Sequence, residues 1–144
     1  MAFLRRLFAE PDPEERRRLE AAVADVDREL AANLELTSIF DQTHQAVGLE
    51  NAQFTRHRAT IEAGLAASFG QLADLYSRVP TAESAMERRG PANSIRDDDR
   101  ALIESWEGDA RALQRDLRAG LTVPRPSSLS RVLNRLRGVL PSRR

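Results

Sequence analysis

Apolar residues recur along the chain at gaps of three and four, the period of one face of an α-helix. The first stripe runs Leu19, Val23, Val26, Leu30 and Leu34, then Phe40 and Val47. It follows a strong helix start. Asp12 can accept from free amides, Pro13 suits the first helical position, and Glu14 and Glu15 oppose the positive end of the helix dipole. The second stripe runs Phe54, Ile61, Leu65, Phe69, Leu72, Tyr76 and Val79, and Pro80 stops it. A third stripe, Ile95, Leu102, Trp106, Leu113 and Leu117, starts from Ser94, which pairs with Asp97 in the manner of a capping box. It ends near Ala119, with Gly120 as C-cap. Between the last two stripes, residues 80–93 hold Pro80, Gly90 and Pro91 and read as a loop, with room for a helical turn over 82–89.

Two arrangements compete for residues 13–79. One is a single helix of about 67 residues, about 100 Å long, paired in a coiled-coil oligomer. The other is a hairpin turning near residues 47–51. A strict four-three seam through the junction meets Asn33, Thr37, His44, Asn51 and Arg58, a poor coiled-coil core. The pattern therefore favours the hairpin. The expected fold is all-α: an antiparallel three-helix bundle over residues 12–120, a hairpin of two long helices plus a third. Short basic amphipathic helices are expected at both termini. A homodimer through the longest helix is compatible with this pattern.

Composition supports helices, since Ala (21), Arg (22), Leu (18) and Glu (12) make up just over half of the 144 residues. Cysteine is absent, which excludes disulfides, thiolate metal sites and a cysteine nucleophile. The net charge of zero conceals a strong asymmetry. Residues 1–9 carry Arg5 and Arg6 and no acid, a charge of +2. Residues 124–144 carry six Arg and no acid, a charge of +6. Residues 10–123 hold 14 Arg against all 22 acids, a charge of −8. Basic ends on an acidic body are suited to anionic partners.

The two ends are also amphipathic. Residues 121–128 form a Pro/Ser linker, and 129–144 a basic helix and tail. At about 100° per residue, Leu133, Leu136 and Leu140 fall within about 40° of Leu129. Val132 lies beside this stripe, Arg131 and Arg135 lie on the far side, and Arg137 lies on the flank. At the other end, Phe3, Leu4, Leu7 and Phe8 form one face of two short turns opposite Arg5 and Arg6. An apolar stripe with a basic polar face suits a helix lying in a membrane interface, and equally one laid into a protein groove. These residues are the expected docking site. Residues 1–8 are too interrupted for the unbroken apolar run of roughly 7–15 residues in a signal peptide, and no stretch approaches a membrane span. The expected location is cytoplasmic, peripheral at the inner face of the membrane.

Catalytic and metal chemistry find little support. Three successive carboxylates, Asp97–Asp99, diverge by about 100° each on a helix and suit its first turn rather than one ion. Asp41 and His44 are three apart, as in half of a di-metal bundle site, but His57 has Phe54 at the equivalent position. No phosphate loop, nucleophile triad or metalloprotease motif occurs. The arginines at 16–18, 56–58 and 88–89 are interleaved with acids as on a solvated face, so specific nucleic-acid binding is not expected. Trp106-Glu107-Gly108 falls within the third stripe, where Trp106 reads as a core anchor. The sequence thus predicts a non-enzymatic helical scaffold or adaptor, without metal or cofactor, that docks reversibly on an anionic membrane through its ends. The alternative is a soluble interaction module whose C-terminal helix fills a groove on a partner protein.

Overall fold

A computed structural model describes residues 12–122, and these are all-helical with no strand among them. In chain order the helices are α1 (Pro13–Thr43), α2 (Ala52–Gly64), α3 (Ala66–Ser77), α4 (Val79–Glu87) and α5 (Asp97–Thr122), with a 3-10 turn at Pro91–Asn93. The start of α1 is the expected one, the Asp12 side chain accepting from the amide of Glu14 at 3.2 Å.

α1 ends at His44, which takes the left-handed conformation (φ 58°) and donates its amide to the Phe40 carbonyl at 2.7 Å. The single helix over 13–79 is thereby overturned: residues 44–51 leave the helix and the chain folds back. Side chains from elsewhere satisfy the backbone of this turn. Asn33 holds Glu50, Glu83 accepts from the Leu49 amide at 3.2 Å, and Arg89 donates to the His44 carbonyl. Arg89 also donates to Met86, so one guanidinium serves the C-terminal carbonyls of two helices. Pairings between α1 and α2 then run in opposite order along the two helices. Glu29 meets Gln53 and Phe54, Asp25 meets His57, and Leu19 lies against Gly64. A Cβ on Gly64 would stand 2.7 Å from both Leu19 methyls, so the glycine permits the close approach.

The second stripe is divided, where the pattern predicts one helix over 54–79. Leu65 (φ −137°, ψ 56°) breaks it: its amide closes α2 on Ile61 and its carbonyl opens α3 to Phe69. Phe54, near the start of α2, stacks on Tyr76, near the end of α3, with centroids 4.4 Å apart. α3 therefore runs back along α2. Pro80 does not end the helical path. It sits in the first turn of α4, where a missing amide donor costs nothing. Residues 80–87 are helical, where the sequence leaves room in an 80–93 loop only for a turn over 82–89, and the connection shrinks to 88–96. There the Ser94 hydroxyl donates to the Pro91 carbonyl at 2.7 Å instead of capping α5. Gly120 is not a C-cap either, since α5 continues through it to Thr122.

α5 runs antiparallel both to α1 and to the broken rod of α3 and α4. Gln114 and Arg118 reach back to Asp27 on one side. On the other, Arg78 meets Asp109 at 2.8 Å and Arg88 meets Asp99 at 2.7 Å. Trp106 is buried between them and donates its indole N–H to the Leu75 carbonyl at 3.0 Å. It belongs to one apolar core with Val26, Leu30, Leu72, Leu75 and Leu117. Each such burial contributes about 1.5–3 kcal/mol of transfer free energy.

Candidate functional site

The expected docking residues, Phe3, Leu4, Leu7 and Phe8 with Leu129, Arg131, Val132, Leu133, Arg135, Leu136, Arg137 and Leu140, lie outside the described residues. The structure does fix where the two ends join the body. Asp27 of α1 is level with Arg118 of α5, and the helices are antiparallel. Going back from Asp27 to Asp12 and forward from Arg118 to Thr122 therefore leads toward the same pole. The turn after α1 and the 88–96 connection lie at the other.

The charge of the body follows the same axis. The boundary between two halves of the described residues runs through the Asn33–Glu50 contact on one side and the Arg78–Asp109 pair on the other. The half nearest the chain ends (12–33, 52–78 and 110–122) holds ten carboxylates and ten arginines, a net of zero. The far half (34–51 and 79–109) holds eleven carboxylates and four arginines, a net of −7. Exposed Glu35, Asp41, Glu50, Glu87, Asp97 and Glu104 in the far half have no cationic partner within 4 Å among the described residues.

One carboxyl of the far half is buried. Glu107 is 4% exposed and lies among Asp41 and Thr37 of α1 and Arg111 of its own helix. Burial first, then Asp41, raises its pKa, and Arg111 and Thr37 only partly offset this. Its Oε1 has no hydrogen-bond partner. Asp99 belongs to the same buried class, with its Oδ1 held by Arg88. All three successive aspartates lie in the first turn of α5, as expected, and Asp99 is in addition buried there.

The remaining polar core is committed to the fold. Glu29 accepts from the amides of Gln53 at 2.7 Å and Phe54 at 3.1 Å, capping α2 from another helix. His57 and Asp25 meet at 2.8 Å, and this contact, with that of Arg28, lowers the Asp25 pKa. An open polar hollow of about 320 Å³ beside them is lined by Asp25, Arg28, Glu29, Glu50 and Gln53. Asp41 is exposed and His44 serves as a helix C-cap. Among the described residues no three His, Asp or Glu side chains converge as metal ligands, and no helix is long and apolar enough to cross a membrane.

Sequence reasoning missed the buried roles of Glu29, Asn33, Thr37, Asp99 and Glu107. A signal was present for two of them: Asn33 and Thr37 interrupt the apolar stripe in register, which is expected where a polar side chain must serve a neighbouring backbone. Glu107 carries no such mark. Compared with known protein families, curated proteins and solved structures, the chain matches none.

Proposed function

We propose that this protein is a non-enzymatic helical scaffold that docks reversibly on an anionic membrane surface through its basic amphipathic ends. The observation that carries the reading is the departure of both ends from one pole of the body. With +2 on residues 1–9 and +6 on residues 124–144, both can meet one surface while the −7 half faces away. Each basic residue near an anionic leaflet contributes about 1 kcal/mol. Two weak anchors tied to one body reinforce each other through effective concentration. The N-terminal phenylalanines and leucines and the 129–140 leucine stripe supply the apolar contact. This assigns the protein to the inner, anionic face of a membrane, with the helical body available to protein partners.

Co-sedimentation with vesicles tests it. The full chain is expected to bind phosphatidylserine-containing vesicles but not neutral ones, less tightly as salt rises, and binding is expected to be lost in a chain ending at Val123. No binding by the full chain overturns the membrane reading. The 129–140 segment would then be a helix for a protein groove.

A further inference from the structure

The far half of the body carries an acidic site with a single cation, Arg111, beside it. Glu107 is nine-tenths buried, and its Oε1 has no donor. Asp41, which faces it, has no proton to offer when both carboxyls are ionised. The Thr37 hydroxyl beside it donates to the Leu34 carbonyl at 3.0 Å and offsets the burial of Glu107 only in part. Arg111 approaches only the other oxygen, Oε2, at 3.6 Å, and its side chain is 58% exposed. One turn earlier on α5, Glu104 is exposed and has no cationic partner among the described residues. A guanidinium set against the exposed carboxylates of Asp41 and Glu104 would offset the repulsion that Asp41 exerts on the buried Glu107.

We propose that the α1–α5 surface at Asp41, Glu104 and Glu107 is the docking site of this chain's own basic C-terminal segment, with Arg131 and Arg135 as the docking cations. Reach selects them. Glu107 lies fifteen residues before Thr122 on α5, about 22 Å back along the helix. Arg131, nine residues beyond Thr122, can span about 30 Å of extended chain, whereas Arg125 can span only about 10 Å. Arg131 and Arg135 are four apart and share a helix face, matching the one-turn spacing of Glu104 and Glu107. The charges correspond as well, +6 on residues 124–144 against −7 on the far half. The inference rests on the proposed function in one respect: the same arginines serve both surfaces, so docking on the body holds the segment back until an anionic membrane competes for it.

The absence of cysteine allows a clean test, because Ser142→Cys in the full chain carries a single nitroxide. Docking predicts strong paramagnetic broadening of amides 38–42 and 104–111, unchanged on dilution and lost in about 0.5 M NaCl, where the Debye length is only a few ångströms. The broadening is also expected to disappear in Asp41→Asn/Glu104→Gln, and binding of that variant to anionic vesicles is expected to tighten several-fold. Arg131→Gln/Arg135→Gln, which leaves the helical body untouched, is expected to lose the broadening too. Absence of broadening at these amides overturns the proposal. So does broadening that grows with protein concentration, which would mean the segment of a second copy. Vesicle binding without broadening leaves the membrane reading standing and removes this one. Broadening without vesicle binding does the reverse.

Discussion

The Asn33 side chain spans the backbone of Glu50 with two hydrogen bonds, donating to its carbonyl at 2.8 Å and accepting from its amide at 2.7 Å. A fully buried amide on α1 thus completes the turn before α2, and it does so in the middle of an otherwise apolar stripe. Four residues earlier, Glu29 caps the amides of α2 itself. These two side chains fix the level at which the hairpin closes.

Asn33→Ala is expected to cost about 2–3 kcal/mol, because it strands a donor and an acceptor of Glu50. Asn33→Asp keeps the acceptor but loses the donor and buries a charge, so it is expected to destabilise at least as much at neutral pH. Urea denaturation followed by circular dichroism would measure both. A loss below about 0.5 kcal/mol for Asn33→Ala would mean that Glu83 and Arg89 hold the turn without it.

Trp106 joins α5 to the end of α3 through one hydrogen bond and a large buried surface. Trp106→Phe is expected to destabilise by about 1–2 kcal/mol, combining a small cavity with one lost hydrogen bond, since the Leu75 carbonyl keeps the Arg78 amide. Its fluorescence gives a direct reading of unfolding in the wild type, since it is the sole tryptophan.

The Glu107 carboxyl, with its pKa raised by burial and Asp41, makes stability depend on pH. The native state holds this proton to a higher pH than the unfolded chain does. Its contribution is therefore present below the ordinary value of 4.5 and is lost as pH rises through the raised native value. Glu107→Gln is expected to be more stable than wild type at pH 7 by about 1 kcal/mol. The difference should vanish below pH 4.5. The comparison belongs in high salt, where the C-terminal arginines are screened, and thermal melts at several pH values would read it. Equal stability of the two at pH 7 would show that Arg111 already neutralises the site.

Backbone conformation supplies a set of opposite signs. Gly70 in α3 and Gly108 in α5 have open space where a Cβ would stand, so alanine at either is expected to stabilise by about 0.5–1 kcal/mol. Ala92 is left-handed (φ 56°) in the turn that Ser94 closes on Pro91, so Ala92→Gly is expected to stabilise by a similar margin. Gly64→Ala must push Leu19 aside and is expected to fall behind the other glycine variants. Melting temperatures would rank them, and a gain at Gly64 equal to that at Gly108 would show that Leu19 yields freely.

Much of the helical pattern was legible in the sequence because burial and periodicity are properties of neighbouring residues. Val23, Val26, Leu30, Phe54, Ile61, Leu72, Tyr76, Trp106, Leu113 and Leu117 are read from spacing and are buried. The α1 start is likewise local chemistry, written in Asp12 and Pro13. The charge asymmetry requires nothing more than counting along the chain.

What the sequence could not show is where helices stop for reasons outside themselves. Nothing at Ala63-Gly64-Leu65-Ala66 forbids a continuing helix. The break becomes favourable when Phe54 meets Tyr76 and Leu19 fills the space beside Gly64. Pro80 is compatible with either an end or a beginning, and packing along α5 decides for a beginning. Glu29, Asn33, Asp99 and Glu107 are polar letters in apolar surroundings, and only partners distant in sequence say what each one meets. Sequence by itself determined the apolar stripes and the sign of each segment's charge. Tertiary structure alone decided that both ends leave at one pole and that the acidic excess gathers at the other, since antiparallel packing, a relation between helices, sets those positions.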